Sequence, residues 1–238
     1  GEYSHLVIRG TLEKYQYLEK QERAFIARVC EGTLEYRLRL DYIIDQFSTV
    51  PVEKMKPVIR ELLRSSVYQL LYMDRVPDSA VCNEAVKLAR KKGFYNLAGF
   101  VNGVLRKIAR EYGSVHFPGR EKEREYLSVI YSVPLWLTEQ FLSRFGFETT
   151  EKIFEAFLEK KLTTVRIREH HTDRKEVLES LKEQNVEVEE APYVKGALYL
   201  KNYDYLPALA AFREGKIQVQ DVSSMLVADI ADPKEGDY

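Results

Sequence analysis

Apolar positions in this chain repeat with a helical period from the start to about residue 113, and alternate as strands do only beyond residue 162. Leu6, Val7, Leu12 and Tyr15 mark an amphipathic fragment within residues 1–17. From about Glu19 to Phe47 the spacing predicts one long helix with Phe25, Ile26, Val29, Leu40, Ile43, Ile44 and Phe47 inward. Gly32 inside it is placed either to kink the helix or to accept a close neighbour. The loop STVP ends it, and Pro57 suits the first turn of the next helix. Ile59, Leu62, Leu63, Ser66, Val67, Leu70 and Leu71 then form a single stripe, which Pro77 stops. Residues 78–112 read as two helices joined by a tight turn. Asp78 is the expected N-cap of the first and Gly93 its left-handed C-terminal residue; Asn96 is the expected cap of the second and Gly113 its close. Val81, Cys82, Ala85, Val86 and Ala89 share one face, as do Phe100, Val101, Val104, Leu105 and Ile108. No strand pattern precedes Gly113, so the first unit is predicted to be an all-α bundle, about residues 1–120.

Residues 114–124 (SVHFPGREKER) combine Pro, Gly and a charge run, and read as a linker. A helix is expected to start after Ser132 and Pro134 and to end at Gly146, with Trp136, Leu137, Phe141 and Phe145 inward; a second runs from Thr149 or Thr150 to about Lys160. The period then changes. Strands are predicted at Leu162–Arg168, Val186–Glu189, Ala197–Leu200 and Ile217–Gln220, with helices at Thr172–Gln184 and Tyr205–Phe212. The order β-α-β-β-α-β is the split, RRM-like arrangement, whose sheet has one face open to a ligand or another domain. Asp221 is placed to cap a final helix. The second, α+β unit is thus expected over about residues 121–238.

Charge separates the two units. Residues 1–120 hold 20 Lys and Arg against 14 Asp and Glu; residues 121–238 hold 16 against 23. A basic unit joined to an acidic one implies different partners for each. Between Ala85 and Arg110 there is no acid, while Lys87, Arg90, Lys91, Lys92, Arg106, Lys107 and Arg110 supply seven positive charges on one helical hairpin. That is a phosphate-binding surface, or else a merely solvated basic face. Arg166 and Arg168 lie two apart on one predicted strand, hence on one face, where RNA or a nearby acid such as Glu169 would meet them. The adjacent His170 and His171 have no third metal ligand nearby, and no P-loop, GxGxxG or HExxH pattern occurs. Cys30 and Cys82 lie on apolar faces with no CxxC partner and read as buried free thiols of a reducing compartment. No apolar run approaches the roughly 20 residues that span a membrane. The start lacks both a signal-peptide pattern and an initiator Met, and reads as the interior of a longer chain.

The sequence also resembles a known family. NEAVKLARKKG, FVNGVLRKIA and the preceding KPVIRELLRSSVYQLLYMDRVP resemble the NusB-like antitermination fold. YSVPLWLTEQFLSRFG, TVRIREHHTDRKEVLESL and IQVQDVSSMLVADIADPKEGDY resemble the segments that follow it in bacterial 16S rRNA cytosine-5 methyltransferases of the RsmB (Sun/Fmu) type. The similarity covers nearly the whole chain. Arg168 stands where that family has Asn after its "LRV" strand.

The resemblance implies an S-adenosylmethionine-dependent enzyme acting on 16S ribosomal RNA of the small subunit, cytoplasmic and monomeric, with no metal and no membrane. In that family one thiol adds to C6 of cytosine and a second assists release, from Pro-Cys and Thr-Cys motifs. This chain has neither motif, since Cys30 and Cys82 each follow Val, and it stops before the family's first Rossmann strand and glycine-rich cofactor loop. It is therefore expected to be the N-terminal RNA-binding portion, with no catalytic residue and no bound cofactor of its own. The competing expectation is a non-catalytic NusB-like factor of antitermination or ribosome biogenesis; a third is a domain whose basic face docks protein only. A strand, a glycine-rich loop and a Pro-Cys downstream of Tyr238 would favour the enzyme, and a stop codon the binding module.

Overall fold

The computed structural model describes residues 3–159, 162–168, 170–234 and 236. Their contacts divide the chain into two compact units, Gly1–Glu159 and Lys160–Tyr238.

The described residues of the first unit are helical throughout: α1 (Ser4–Glu13), α2 (Lys20–Glu35), α3 (Arg37–Phe47), α4 (Pro57–Tyr72), α5 (Asp78–Lys91), α6 (Ala98–Glu111), α7 (Glu123–Ile130) and α8 (Leu135–Leu158). The stripe on α4 makes it the centre, touching α2, α3, α5 and α6. Ile59, Leu63 and Val67 meet Leu40, Ile43, Ile44, Val101, Leu105 and Ile108 in one core. Arg64 is carried into this packing by its position on α4. Its Nε and Nη2 donate to the two Asp41 carboxylate oxygens at 2.6 Å each, and Nη1 donates to Glu61 at 2.7 Å.

The expected single helix from Glu19 to Phe47 is two. A capping box between Glu19 and Glu22 starts α2, and the chain leaves helical geometry at Tyr36 (φ −91°, ψ 13°) rather than at Gly32. The turn puts the Tyr36 ring 4.4 Å from that of Tyr72, in a stack that Tyr68 joins. Gly32 instead serves the second role predicted for it. A methyl group built on its Cα would overlap the Tyr68 ring and hydroxyl. Alanine normally improves a helix over glycine by about 0.5–1 kcal/mol, whereas forcing an extra carbon into a packed site costs about 1–3 kcal/mol. Gly32→Ala is therefore expected to lower the urea midpoint, and Gly32→Ala with Tyr68→Leu to recover most of it. Equal midpoints for Gly32→Ala and the parent would refute the close approach.

Three of the expected caps move. Pro77 occupies the N-cap of α5, which places Asp78 at its first helical position with no capping bond. Asn96 lies within a 3-10 turn, Tyr95–Leu97, and Leu97 is the N-cap of α6. Gly113 sits in a further 3-10 turn, Tyr112–Ser114, rather than in a left-handed close. Gly93 behaves as predicted: at φ 84°, it lets Phe94 N–H donate to Ala89 O and Gly93 N–H to Arg90 O.

The segment read as a linker is fastened to the helices. His116 N–H donates to Gln46 Oε1 at 3.0 Å, Tyr42 Oη donates to His116 O at 2.8 Å, and the Arg39 guanidinium lies 5.1 Å from the Phe117 ring centre. Ser132 Oγ accepts Leu38 N–H at 2.9 Å, so α7 and α8 group with the first unit. Gly146 breaks α8 (φ 70°, ψ 175°), where the sequence places a helix end. Phe154 from the second half packs on Leu127, Val133 and Phe141. Trp136, expected inward, is 61% exposed, and Thr138 takes the fully buried position. Arg120 binds Glu151 at 2.5 Å while lying 4.9 Å from the centre of the Phe147 ring. Glu151 also accepts from the hydroxyls of Tyr126 and Tyr131. Burial first, then the Glu151 charge, pushes the Tyr131 phenol up to about 12. An unfolded phenol ionises near 10. The raised value contributes stability below pH ~10 that is lost as pH climbs towards ~12. Tyr131→Phe should flatten this alkaline fall in thermal midpoint, and an unchanged profile would count against it.

The second unit is built from β1 (Thr163–Ile167), α9 (Arg174–Glu183), β2 (Glu187–Glu190), β3 (Ala197–Lys201), α10 (Ala210–Arg213), β4 (Ile217–Val219) and α11 (Val222–Ala231). The strands lie in the order β2-β3-β1-β4, every neighbour antiparallel, which is the predicted split topology. The helix expected over Tyr205–Phe212 is a 3-10 turn at Leu206–Ala208 followed by α10. Alternation sends Val165, Ile167, Leu198, Leu200 and Ile217 to the face covered by Val177 and Leu181 of α9. The other face, expected open, is half covered: fully buried Met225 of α11 packs with Ala191, Val194 and Ala197. Asp221 stands at the N-cap of α11 but makes no side-chain capping bond.

Candidate nucleic-acid interface

The basic hairpin owes its rigidity to its apolar side. Cys82, Ala85 and Ala89 of α5 and Ala98, Val101, Val104, Leu105 and Ile108 of α6 are all buried in the same core. Small residues on α5 let the two backbones approach closely. Their outward sides leave two hollows along the seam. One, about 360 Å³, is lined by Lys87, Arg90, Gly99, Asn102 and Arg106 among others. The next, about 350 Å³, is lined by Arg106, Arg110, Ser79 and Asp78 together with Cys82 and Ala109. Arg106 is common to both, so the pair forms one groove. No side chain caps the α6 N-terminus, and nothing lies within 4 Å of where a Gly99 Cβ would sit. The positive end of a helix, an open glycine backbone and three cations thus share the first hollow.

The seven predicted cations are not equivalent. Lys87, Arg90, Arg106 and Arg110 line the groove. Lys91 instead borders another hollow beside Phe25, Leu62 and Leu88, which Lys87 also lines. Lys107 lies 5.7 Å from the Phe47 ring centre, towards α3. The acid-free run is closed at its ends by acids: Glu84 pairs with Lys87 at 2.6 Å and Glu111 with Arg110 at 2.5 Å. Both lysine and arginine of these pairs are about 70% exposed, where an ion pair is worth ~0–1 kcal/mol and a phosphate can replace the carboxylate. Arg106 Nε donates to Asn102 Oδ1 at 2.9 Å, which aims the guanidinium along the groove. Asn102 and Gly99 were not singled out from the sequence; the four-residue spacing of Asn102 and Arg106 was the signal available.

In the second unit, Arg166 sits within β1, opposite Gln218 of β4. Arg168 follows the strand, its guanidinium 3.4 Å from Gly215 O. The two line a common cavity. Glu169, the acid expected to compete for them, lies outside the described residues.

Neither cysteine is disposed to be a nucleophile. Both are free, Cys82 buried and Cys30, against expectation, only half-buried. Burial pushes both thiols up. Glu31 adds to this at Cys30; at Cys82, Asp78 adds to it and Arg106 opposes it. A nucleophilic cysteine needs the opposite shift. Among the described residues no group of three or more His, Cys, Asp or Glu can hold a metal ion, and no helix is long and apolar enough to cross a membrane.

Residues 1–110 match the NusB family, and residues 133–204 match the Methyltr_RsmF/B-like, ferredoxin-like domain. The chain thus carries a NusB domain followed by an RsmF/B-like, ferredoxin-like domain. The resemblance seen in both halves of the sequence is thereby borne out. The NusB match covers α1–α5 and most of α6, including Lys87, Arg90 and Arg106; the ferredoxin-like match begins just before α8 and includes Arg166 and Arg168. The probable ribosomal RNA small subunit methyltransferase B of Bacillus subtilis (strain 168) is 35% identical over 232 residues, which are 98% of this chain and 51% of that protein. Its counterpart from Synechocystis sp. (strain ATCC 27184 / PCC 6803 / Kazusa) is 32% identical over 98% of this chain and 52% of its own length. The chain spans about half the length of the curated relatives it matches. The crystal structure of PH0851 shares the fold, with a TM-score of 0.74 and 23% identity over 96% of this chain and 51% of its own.

Proposed function

We propose that this chain is the RNA-engaging portion of an S-adenosylmethionine-dependent 16S ribosomal RNA cytosine-5 methyltransferase. Residues 1–120 contribute the NusB-like RNA-binding domain and residues 121–238 the linker helices and ferredoxin-like domain. The observation that carries the reading is the α5–α6 groove, where Lys87, Arg90, Arg106 and Arg110 meet a helix N-terminus without a side-chain cap and an open glycine. Lys91, Lys92 and Lys107 extend the positive field around it, and Arg166 and Arg168 supply a second contact. The residues described do not fit the cofactor. Its usual cradle is a strand, a glycine-rich turn and a helix in a parallel sheet, whereas this sheet is antiparallel. The chemistry of these domains is therefore to hold and orient RNA, and methyl transfer belongs to the other half of a relative-sized protein.

Phosphate contacts weaken with salt, by a slope of about −0.7 per contact for single strands. Gly99 offers a test that leaves the cations untouched. Gly99→Ala keeps the fold, since a Cβ there meets nothing within 4 Å, and serves as the uncharged control. Gly99→Glu places a carboxylate in the groove and should cut binding at low salt while the fold is retained. Unchanged binding by a folded Gly99→Glu chain would remove the groove from the interface.

A further inference from the structure

The second unit holds a cationic cavity of about 290 Å³, lined by Arg166, Arg168, His170, His171, Lys195 and Gln218. Three separate segments deliver these groups. Arg166 stands in β1 between Ala197 of β3 and Gln218 of β4, on the face opposite the Val165–Ile167 core. Beyond the strand, Arg168 N–H donates to Lys216 O at 2.9 Å and His171 N–H to Arg168 O at 2.8 Å, closing a turn that brings both imidazoles to the cavity. Lys195 comes from the β2–β3 connection, whose end is tied down where Ile167 N–H donates to Gly196 O at 3.0 Å. Gln220, held by its N–H to Thr164 O, adds a second amide.

No carboxylate lines this cavity among the described residues. Several acids of neighbouring elements are engaged elsewhere, while Asp221 follows Gln220 at the N-cap of α11 without a side-chain capping bond. Lys216 takes Glu176 at 2.6 Å and Glu214 at 2.7 Å, Arg174 takes Glu190, and Asp173 accepts Lys175 N–H at 2.9 Å. Glu169 lies outside the described residues. Arg168, His170, His171 and Lys195 are exposed, so solvent screens their mutual repulsion, and the concavity offers an anion several cationic partners at once. The volume is at the lower end of small-ligand sites, about 300–1,000 Å³. That is room for one phosphate with part of its nucleotide, and too narrow for a duplex. The two glutamine amides add neutral donors suited to phosphate or base-edge oxygens.

We propose that this cavity binds a single phosphate of unpaired RNA. The proposal rests on the reading that the chain engages RNA, but it concerns a site separate from the α5–α6 groove. His170 and His171 border it from the turn after β1 and report on its occupation.

The test follows the imidazole signals of His170 and His171 in the whole chain by NMR, with inorganic pyrophosphate, a short single-stranded RNA and a blunt duplex of equal length as probes. Both signals should move with pyrophosphate and with the single strand, and not with the duplex. Lys195→Ala, an exposed position, should weaken the response to the single strand. Signals that ignore the single strand, or that move equally with the duplex, would overturn the proposal. If groove variants lose RNA while these signals stay still, only the cavity proposal fails. If no variant in either place alters RNA binding, the RNA-engaging reading itself fails.

Discussion

Replacing Lys87, Arg90, Arg106 and Arg110 together by alanine is expected to abolish tight RNA binding near 0.1 M salt and to flatten its salt dependence. The four line one groove, so a single strand can meet them together. With a slope of about −0.7 per contact, each contact is worth roughly fivefold at 0.1 M relative to 1 M salt, and four amount to several hundredfold. The slope itself should fall by roughly 3. The fold should persist, because the exposed pairs lost with Glu84 and Glu111 are worth only ~0–1 kcal/mol each. The informative comparison is Lys91, Lys92, Arg106 and Lys107 to alanine. It removes the same charge but shares only Arg106 with the groove, since Lys91 borders another hollow and Lys107 lies over Phe47. Filter binding across a salt series separates the cases. Equal losses for the two quadruple variants would mean that diffuse charge, not the groove, attracts RNA.

The largest expected effect on stability is at Arg64. Its side chain is 11% exposed, and its guanidinium is bonded to both Asp41 oxygens and to Glu61. Arg64→Met would leave the Asp41 carboxylate, 23% exposed, without its partner. Removing one side of a buried pair costs about 3–5 kcal/mol, and the partial exposure of Asp41 reduces this to roughly 2–3 kcal/mol. That is a large share of the ~5–15 kcal/mol that holds a domain together. Arg64→Met with Asp41→Leu removes both charges, and should recover most of the loss. Urea titrations of the two variants give the answer. A double variant no more stable than the single one would show that Arg64 acts through its packed stem rather than through its charge.

Much of this architecture was already legible in periodicity. The α4 stripe, the β-α-β-β-α-β order, the Gly93 stop and the Gly146 break follow from side-chain spacing and from the backbone freedom of glycine, both local properties. Helix starts were less legible. Asp78 and Asn96 have capping chemistry, yet Pro77 and the Tyr95–Leu97 turn set those ends, because the chain's entry angle, not residue type, fixes which position is the cap. The division of the single Glu19–Phe47 pattern into α2 and α3 came from a tyrosine stack with residues more than 30 positions away, which no local window contains.

The candidate site divides in the same way. Sequence established the charge: seven cations in a stretch without acids, and a pair of arginines on one strand. It could not establish their grouping. Helical rotation sends Lys91 and Lys107 to different sides from Arg90 and Arg106, and Glu84 and Glu111 reach back from just beyond the acid-free run. Likewise Trp136, apolar and correctly spaced, is exposed, while Thr138 of the same helix and Phe154 beyond the Gly146 break fill the interior. Local sequence governs which residues can share a face, since that depends on a fixed period. Which face meets a neighbour, and which cations share a hollow, depends on packing between elements distant in the chain, and only the folded structure decides it.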